Sequence, residues 1–381
     1  MFVTLYILIS IVLIVSYLGI IKLYITGWQQ LPYIELPKHY TPTVSISIIV
    51  AARNEAKAIK DCLESLAQQN YPKHLFEILV VDDNSEDITS QIVCSFGKIS
   101  SNIRLIRLNG FENRQGKKQA IATGIEQSNG NLIVTTDADC IMGSDWLYYI
   151  AYMHESEGAK FIAAPVVFHN EYSTFEQFQT LDFMGMMAIT GAGIHKQFMH
   201  MCNGANLAYT KAVFEEVNGF EGIDHIASGD DMLLMQKVAK KYPNQLRFIK
   251  NKAATTYTNP KSTLKGFMQQ RIRWASKSSA YTEWQVVAIL GLVWIFSVSI
   301  LLDLILAIWL GWWLVGLAAL KLVLKGIADY FLLNMMAHFF GRSALMKAFV
   351  PSLFLHWIYI VVIGFLGNVL SSYEWKGRQV K

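Results

Sequence analysis

The chain contains three aspartate pairs and one basic, aromatic segment whose residue types suit metal, phosphate and proton chemistry. The pairs are Asp82-Asp83, Asp137-Ala138-Asp139 and Asp230-Asp231, and the segment is Gln270-Arg271-Ile272-Arg273-Trp274. Two carboxylates that approach one point repel each other. A hard divalent cation such as Mg²⁺ or Mn²⁺ removes that repulsion and also binds phosphate oxygens. A solvated acidic turn has the same sequence, so the pair at 137 and 139 is a weak signal alone.

Other residues suit the nucleobase or phosphate parts of a ligand. At the end of a predicted strand, Asp83 can accept a hydrogen bond from a base N–H such as the imide of uracil. Lys117 and Lys118 follow Gly116 and can pair with phosphate as point charges. A solvated place in the first turn of a helix is the alternative interpretation for Lys118.

The third aspartate pair opens a predicted helix, Met232–Lys241. One of Asp230 and Asp231 can cap the free N–H groups of the helix and complement its dipole. The other can act as a general base that takes a proton from a hydroxyl group.

Residues 263–277 have the apolar period of an amphipathic helix. Gln270, Arg273 and Trp274 are spaced i, i+3 and i+4, so they share a face. Arg271 is expected outside the apolar stripe. The shared face offers an amide, a cation for a diphosphate and an aromatic platform for a sugar ring. A membrane-surface helix with an interfacial tryptophan is the alternative, and the two interpretations are compatible.

These residues follow elements that alternate between strand and helix, which predicts an α/β fold with a mostly parallel, two-sided sheet. Ligands of such sheets bind beyond the carboxyl ends of the strands, where Arg53-Asn54-Glu55 and the first two aspartate pairs are expected. No GxGxxG follows the first strand, which argues against a dinucleotide-binding dehydrogenase. The predicted strands are 44–52, 76–81, 103–108, 132–136 and 161–168, and the predicted helices are 55–69, 87–96 and 117–127.

Both ends of the chain are apolar. Hydrophobic residues make up 53% of the sequence and charged residues 16%. Residues 2–21 carry no charge and reach about 30 Å as a helix, which favours a retained membrane helix over a cleaved signal peptide. Further spans are predicted at 286–302, 304–320 and 348–370. Residues 327–340 are more polar and are predicted to lie in the membrane interface or to form a fourth crossing.

The predicted organisation is an N-terminal transmembrane helix (1–25), a cytosolic domain (40–260), an amphipathic interface helix (261–281) and a C-terminal membrane region (285–373). A basic tail, Lys376, Arg378 and Lys381, favours a fourth crossing by the positive-inside rule. The net charge of +4 and its clustering beside apolar segments suit anionic lipid, and no nucleic-acid-binding signature is present. The four cysteines have no CxxC spacing and are expected to be reduced thiols, in agreement with a cytosolic location.

In order and spacing these motifs resemble the membrane-associated glycosyltransferases of family 2, which include synthases of cellulose, hyaluronan and chitin oligomers. The family pattern D, D, D, QxxRW is matched by Asp83, Asp139, Asp231 and the 270–274 segment. Residues 50–55 (VAARNE), 116–120, 203–208 (NGANLA) and 217–220 (VNGF) also look like family signatures. One departure is visible, because many members have Glu-Asp where this chain has Asp230-Asp231; the role of Asp230 is therefore in doubt.

The resemblance implies a glycosyltransferase-A fold, a nucleotide-diphosphate sugar donor, Mg²⁺ or Mn²⁺, and inversion at the anomeric carbon. It implies that Asp231 is the catalytic base, that Asp137 and Asp139 hold the metal, and that Asp230 belongs with the diphosphate and acceptor groups. The other implied donor contacts are Ala51, Arg53, Glu55, Asp82, Asp83, Lys117 and Asp137, and the other implied diphosphate or acceptor contacts are Gln270, Arg271, Arg273 and Trp274.

The expected function is transfer of a sugar, with a UDP-linked donor expected first, to a glycan or lipid acceptor at the cytosolic face of the cell (inner) membrane. A single-sugar transferase acting on a lipid is one alternative to a polysaccharide synthase, and a non-catalytic scaffold of a glycan export system is another. The sequence leaves open the sugar, the acceptor and any partner subunit. It also leaves open whether residues 184–195 line the acceptor site or pack against lipid.

Overall fold

The computed structural model describes residues 2–108, 115–226, 228–369, 373–375 and 378–380. The chain forms two compact units. We call them the sheet unit (Pro32–Asn170, His200–Asn259 and Ser372–Lys381) and the helical unit (Met1–Leu31, Glu171–Met199 and Pro260–Ser371). The predicted cytosolic domain therefore differs from the sheet unit, since Glu171–Met199 belongs with the helices.

The sheet unit is built on a seven-stranded sheet in the order β3-β2-β1-β4-β8-β6-β9. The first four strands in that order pair in parallel, β8 runs antiparallel to β4 and β6, and β9 is parallel to β6. The predicted mixed α/β, mostly parallel sheet is confirmed. The strands are β1 (Ile46–Ala52), β2 (Phe76–Asp82), β3 (Ile103–Arg107), β4 (Leu132–Asp137), β5 (Ile141–Met142), β6 (Phe161–Ala163), β7 (Val166–Phe168), β8 (Leu207–Thr210), β9 (Leu246–Phe248), β10 (Thr256–Thr258), β11 (Tyr373–Trp375) and β12 (Arg378–Val380).

A second, three-stranded sheet has the order β5-β10-β7. The sequence predicted one strand over 161–168, and this prediction was wrong because β6 and β7 belong to different sheets. Pro165 separates them, has no N–H for a ladder and accepts a hydrogen bond from Thr256 N at 2.9 Å. The chain therefore leaves the main sheet at the proline.

The described residues contain twelve α-helices. In the sheet unit, α4 packs its apolar face against β1 and β2. Helices α2, α3, α4, α5, α7 and α8 belong to the sheet unit, and α1, α6, α9, α10, α11 and α12 belong to the helical unit. The helices are α1 (Phe2–Gln30), α2 (Ile59–Ala67), α3 (Thr89–Ile99), α4 (Lys117–Glu126), α5 (Trp146–Glu157), α6 (Thr174–Lys196), α7 (Lys211–Glu216), α8 (Met232–Lys241), α9 (Leu264–Ala275), α10 (Trp284–Leu310), α11 (Trp313–Phe339) and α12 (Phe349–Val369).

In the helical unit, α6 packs against α1, α11 and α12, and α9 packs against α12. Three segments are long and apolar enough to cross a membrane, namely Val3–Gln30, Trp284–Leu310 and Ser343–Gly367. Residues 184–195 lie within α6, which is largely buried in this unit. Residues 370–372 of the predicted C-terminal region, and Lys376 and Lys381 of the basic tail, lie outside the described residues.

The predicted helix break at Asp303 was wrong. Helix α10 continues through this residue to Leu310, because the Asp303 carboxylate is fully buried and paired with Lys321 of α11 at 2.8 Å. It also accepts a hydrogen bond from the Tyr6 hydroxyl at 2.5 Å. The segments predicted at 304–320 and 327–340 were likewise wrong as separate elements, since α11 runs without interruption from Trp313 to Phe339.

Candidate functional site

The register of the central sheet brings three polar groups to one edge. Ala51 of β1 pairs with Asp137 of β4, and Ala52 pairs with Asp82 of β2. Arg53 follows β1 directly. The carboxyl ends of three parallel neighbouring strands therefore carry these groups together, as the sequence predicted.

The loop after β2 is held by a buried arginine. The Arg53 guanidinium donates to the carbonyl oxygens of Asp83 at 2.8 Å and Asn84 at 2.6 Å, and it pairs with Glu86 at 3.1 Å. Glu55 contributes its backbone N–H to the Thr89 hydroxyl at 2.8 Å. Arg53 thus shapes the loop, and its contact with a nucleotide, like that of Glu55, stays a prediction.

The first aspartate pair is linked to the start of α4. Asp82 accepts a hydrogen bond from the Ser90 hydroxyl at 2.9 Å, and Asp83 Oδ2 accepts one from Gly116 N at 3.0 Å. Gly116 caps α4 with a φ of 92°, a left-handed conformation that favours glycine. The buried Asp83 carboxylate therefore helps to fix the turn from which Lys117 projects.

A cavity of about 360 Å³ opens beside these residues, at the carboxyl ends of β2 and β3. Its size lies near the lower end for small-molecule sites in proteins. Its wall offers carboxylate, hydroxyl, amide and guanidinium groups, which can bind a polar ring. The lining residues are Asp82, Asn84, Ser85, Asp87, Ser90, Gln91 and Arg107.

A possible metal site lies at the end of β4. The carboxylates of Asp137 and Asp139 and the thiol of Cys140 place ligand atoms within 4.8 Å of one another. Burial, together with the two carboxylates, raises the pKa of the Cys140 thiol well above its usual value. A hard cation such as Mg²⁺ or Mn²⁺ prefers oxygen ligands, so the two carboxylates are the ligands of this group that suit it.

Lys117 connects the second and third aspartate pairs. Its Nζ lies 2.7 Å from Asp137 Oδ1 and 3.1 Å from Asp230 Oδ2. Desolvation alone would lower its pKa, but the charges of Asp137, Asp230 and Asp231 outweigh it and raise the pKa of Lys117 well above the usual range. The ammonium group of Lys117 therefore stays charged at neutral pH.

Of the last two aspartates, Asp231 caps α8. Its Oδ1 accepts a hydrogen bond from Met232 N at 2.7 Å, and its Oδ2 accepts one from Gly204 N at 3.1 Å. Two backbone donors thus fix the orientation of this carboxylate, whereas Asp230 faces Lys117. The sequence had left open which aspartate was the cap and had expected the other one to be the base. Because Asp231 is the cap, its assignment as the base rests on the family resemblance and not on that division of roles.

Two residues near Lys117, Asp137 and Asp230 were not correctly assigned from the sequence: Gly204 was not recognised, and the role of Lys118 was left open. A Cβ at Gly204 would lie 3.1 Å from Lys117 Nζ and 3.2 Å from Asp230 Oδ2, so a larger residue at this place would press on both groups. The only sequence signal for Gly204 was its position in the NGANLA stretch. Lys118 is buried and donates to the carbonyl oxygens of Ile223 and Ile226, so the solvated-turn interpretation was wrong.

The 270–274 segment lies on α9, within the helical unit. Gln270, Arg273 and Trp274 are half-buried on this helix. Arg271 was expected outside the apolar stripe, and this was wrong: its side chain is 1% exposed and pairs with Asp182 at 2.8 Å. The roles of these four residues toward a diphosphate or an acceptor stay predictions.

Residues 47–217 match the protein family described as "Glycosyl transferase family 2". This region is a glycosyltransferase family 2 domain. The match includes the first two aspartate pairs and Lys117, and it ends before Asp230, Asp231 and α9.

Curated relatives of this glycosyltransferase domain are similar over part of their length. The probable glycosyltransferase YdaM of Bacillus subtilis is 27% identical over 244 residues, which cover 63% of this chain and 55% of YdaM. The glycosyltransferase AglE of Haloferax volcanii is 30% identical over 189 residues, which cover 49% of this chain and 59% of AglE. The chain thus spans a little over half the length of these relatives.

A solved structure confirms the fold expected for such a domain. The mannosyltransferase PcManGT from Pyrobaculum calidifontis, in complex with GDP-Man and Mn²⁺, aligns with a TM-score of 0.62 and 20% identity. The alignment covers 95% of this chain and 97% of PcManGT. The chain therefore has a glycosyltransferase-A-like fold with a central mixed sheet, accompanied by three long apolar helices.

Proposed function

We propose that the chain is a membrane-bound, metal-dependent, inverting glycosyltransferase that transfers a sugar from a nucleoside-diphosphate donor to a glycan or lipid acceptor. One observation carries the proposal. Lys117, which lies in the region that matches glycosyltransferase family 2, joins the Asp137/Asp139 carboxylate pair to Asp230, which follows that region, next to the oriented carboxylate of Asp231. Cation, carboxylate pair and base candidate are the groups that transfer from a diphosphate requires.

In the proposed reaction, Asp231 takes the proton of the acceptor hydroxyl. The hydroxyl oxygen then forms a bond to the anomeric carbon from the face opposite the nucleotide. The bond from that carbon to the diphosphate oxygen breaks, and its electron pair leaves with the nucleoside diphosphate. Backbone hydrogen bonds from Gly204 and Met232 orient the carboxylate for this step.

The leaving diphosphate carries the charge that the site must stabilise. We assign Lys117 to the phosphate oxygens as a fixed cation. For Arg273, a contact with the diphosphate is proposed from the family resemblance alone. When bound at Asp137 and Asp139, Mg²⁺ or Mn²⁺ supplies further charge neutralisation. We place the base of a UDP-linked donor in the cavity beside Asp82 and assign Asp83 to a base N–H; Ala51, Arg53 and Glu55 complete the proposed donor contacts.

We place the catalytic domain on the cytosolic face of the cell membrane, with the chain crossing it several times. The three apolar segments are long enough for this arrangement. Cys62, Cys94 and Cys140 are free thiols, which suits a reducing compartment.

The base assignment is tested with Asp231→Asn in the purified full-length protein. We expect the variant to keep donor binding and to lose transfer by about a hundredfold or more, because the amide has no basicity. Isothermal titration with UDP measures binding, and release of sugar from labelled donor into product measures transfer. Asp61→Asn, an exposed position on α2, is the matched control. Transfer near the parental rate in Asp231→Asn would contradict the assignment.

The donor, metal and acceptor classes are tested together with UDP-glucose, UDP-GlcNAc and GDP-mannose. Product is measured with Mn²⁺, with Mg²⁺ and with EDTA, and we expect EDTA to abolish it. A long product indicates a polysaccharide synthase, whereas one sugar in the organic phase indicates a lipid acceptor. No transfer or hydrolysis with any of these donors would favour the non-catalytic alternative.

A further inference from the structure

We propose that Asp182 is a positioning residue for α9, and that its buried carboxylate fixes Arg271 and thereby sets the orientation of Gln270, Arg273 and Trp274. The proposal rests on the proposed function, because it concerns how these three residues meet the diphosphate or the acceptor. Neither Asp182 nor α6, which carries it, belongs to any motif seen in the sequence.

The contact between α6 and α9 is a buried ion pair. The distance from Arg271 Nη2 to Asp182 Oδ2 is 2.8 Å, and the two side chains are 1% and 7% exposed. An unpaired charge in such surroundings is costly, so either residue alone would be destabilising. The pair therefore specifies which side of α9 faces α6.

Arg271 also contacts the tryptophan of the QxxRW motif. Its guanidinium carbon lies 4.4 Å from the centre of the Trp274 ring and 5.0 Å from that of Phe267. The Trp274 ring packs in turn on Phe183 of α6, at 5.8 Å between ring centres. Two successive residues of α6, Asp182 and Phe183, thus hold Arg271 and Trp274.

The second oxygen of Asp182 faces the long helices of the same unit. Its Oδ1 lies 3.6 Å from Nε2 of His356 on α12, and His356 Nδ1 lies 3.1 Å from Lys325 Nζ on α11. Lys325 pairs with Asp329, which accepts a hydrogen bond from Tyr17 of α1 at 2.7 Å. Polar side chains of α12, α11 and α1 therefore continue from the Asp182–Arg271 pair, although the 3.6 Å between Asp182 and His356 is longer than a hydrogen bond.

Because α9 is a helix, the ion pair that holds Arg271 also sets the orientation of the neighbouring side chains. Successive residues are about 100° apart around the axis, so fixing one side chain fixes the directions of its neighbours. With Arg271 held by Asp182, Gln270, Arg273 and Trp274 point in set directions. This assignment uses Arg271 for the helix and leaves contact with the diphosphate or acceptor to the other three residues.

The experiment compares two buried ion pairs of the helical unit. Asp182→Asn removes the charge that fixes α9, whereas Asp303→Asn removes a fully buried charge on α10 whose partners among the described residues are Lys321 and Tyr6. We expect both variants to lose thermal stability. Only Asp182→Asn should lower kcat, by about tenfold to a hundredfold, because a displacement near 1 Å can have this effect. UDP affinity should weaken in Asp182→Asn, because the positioned residues include Arg273, which is proposed to contact the diphosphate, and it should change less than twofold in Asp303→Asn.

A second measurement does not depend on transfer. In protein labelled with 5-fluorotryptophan, the Trp274 resonance is assigned from Trp274→Phe, and we expect it to shift or broaden in Asp182→Asn but not in Asp303→Asn. Asp182→Glu keeps the carboxylate, so it should restore part of kcat and return the Trp274 resonance towards its parental position. If Asp182→Asn does not fold, the same measurements are made on Asp182→Glu.

The outcomes separate the two proposals. An unchanged Trp274 resonance in Asp182→Asn, or an equal effect of Asp303→Asn on that resonance and on kcat, would overturn the positioning role. A shifted resonance in a protein that transfers no sugar would leave the positioning of α9 standing and reject the proposed function.

Discussion

At the scale of single residues, the candidate site is organised around one ammonium group. Lys117 is the cation that the structure places between Asp137 and Asp230, and its raised pKa keeps it charged. The sequence placed Lys117 near phosphate but gave no reason to link it to either aspartate. That link is made by tertiary structure, because Lys117 begins α4, Asp137 ends β4 and Asp230 lies just before α8.

Replacing Lys117 should affect metal and donor binding in opposite directions. In Lys117→Met, Asp137 and Asp230 lose their cation, so we expect Mn²⁺ to bind the donor-free protein more tightly, by on the order of tenfold. Donor binding should weaken, because the proposed phosphate contact is gone. Electron paramagnetic resonance of free Mn²⁺ and titration with UDP measure the two effects.

Lys60→Met on α2 removes an exposed ammonium group and is the control for the change in net charge. Weaker Mn²⁺ binding in Lys117→Met than in the parent would contradict the idea that this lysine and the metal compete for Asp137.

At the scale of elements, the regular alternation of strands and helices was predictable and the exceptions were local. Strands β1 to β4 fall within two residues of their predicted bounds, because each is a short apolar run between polar turns. The predictions failed where a tertiary contact decided the outcome. Pro165 ends β6, and the partners of Asp303 allow α10 to continue.

One carboxylate joins α5 to the segment before β1. Glu155 accepts hydrogen bonds from the Tyr40 hydroxyl at 2.5 Å, from Thr43 N at 2.8 Å and from Val44 N at 2.7 Å. Burial alone would raise the pKa of Glu155, but these hydrogen bonds outweigh it and lower the pKa. The stabilisation is therefore present above the unfolded-state pKa of about 4.3 and is lost as pH falls through the lower folded-state value.

Glu155→Gln should therefore destabilise the protein in a pH-dependent way. We expect a loss of about 1 kcal/mol at pH 7, because Glu155 is exposed and solvent screens its charged hydrogen bonds. The difference from the parent should shrink below about pH 4. Thermal unfolding midpoints in detergent at pH 7 and pH 3.5 measure it, with Glu157→Gln on the same helix as the exposed control. A difference in unfolding midpoint between variant and parent that grows on acidification would contradict the predicted direction of the pH dependence.

At the scale of the whole molecule, each unit is assembled from separated stretches of chain. The helical unit takes α6 from the middle of the sequence. The sequence could not predict this, because α6 is buried nearly all round and has no amphipathic period to show its partner. Its Met- and Gly-rich residues are therefore packing residues of the helical unit.

The proposed orientation in the membrane can be tested on a natural cysteine. Cys94 is exposed, whereas Cys62 and Cys140 are buried. With Cys202→Ser as the background, a membrane-impermeant maleimide should label Cys94 in inside-out vesicles and not in intact cells. Cys94→Ser is the control for specificity. Equal labelling of intact cells would place the sheet unit on the outer face.

The fully buried pair of Asp303 and Lys321 has a consequence for biogenesis. Each residue alone at the centre of a bilayer costs about 2.5–3.5 kcal/mol in insertion experiments, whereas a neutralised pair avoids most of that cost. Lys321 is 22 residues from Ser299 along the chain and donates to its hydroxyl, so α10 and α11 face each other as a hairpin. Among the described residues, α10 is one of the segments long and apolar enough to cross a membrane and α11 is not. We therefore expect α11 to enter lipid only together with α10, when the charge of Lys321 is neutralised by Asp303.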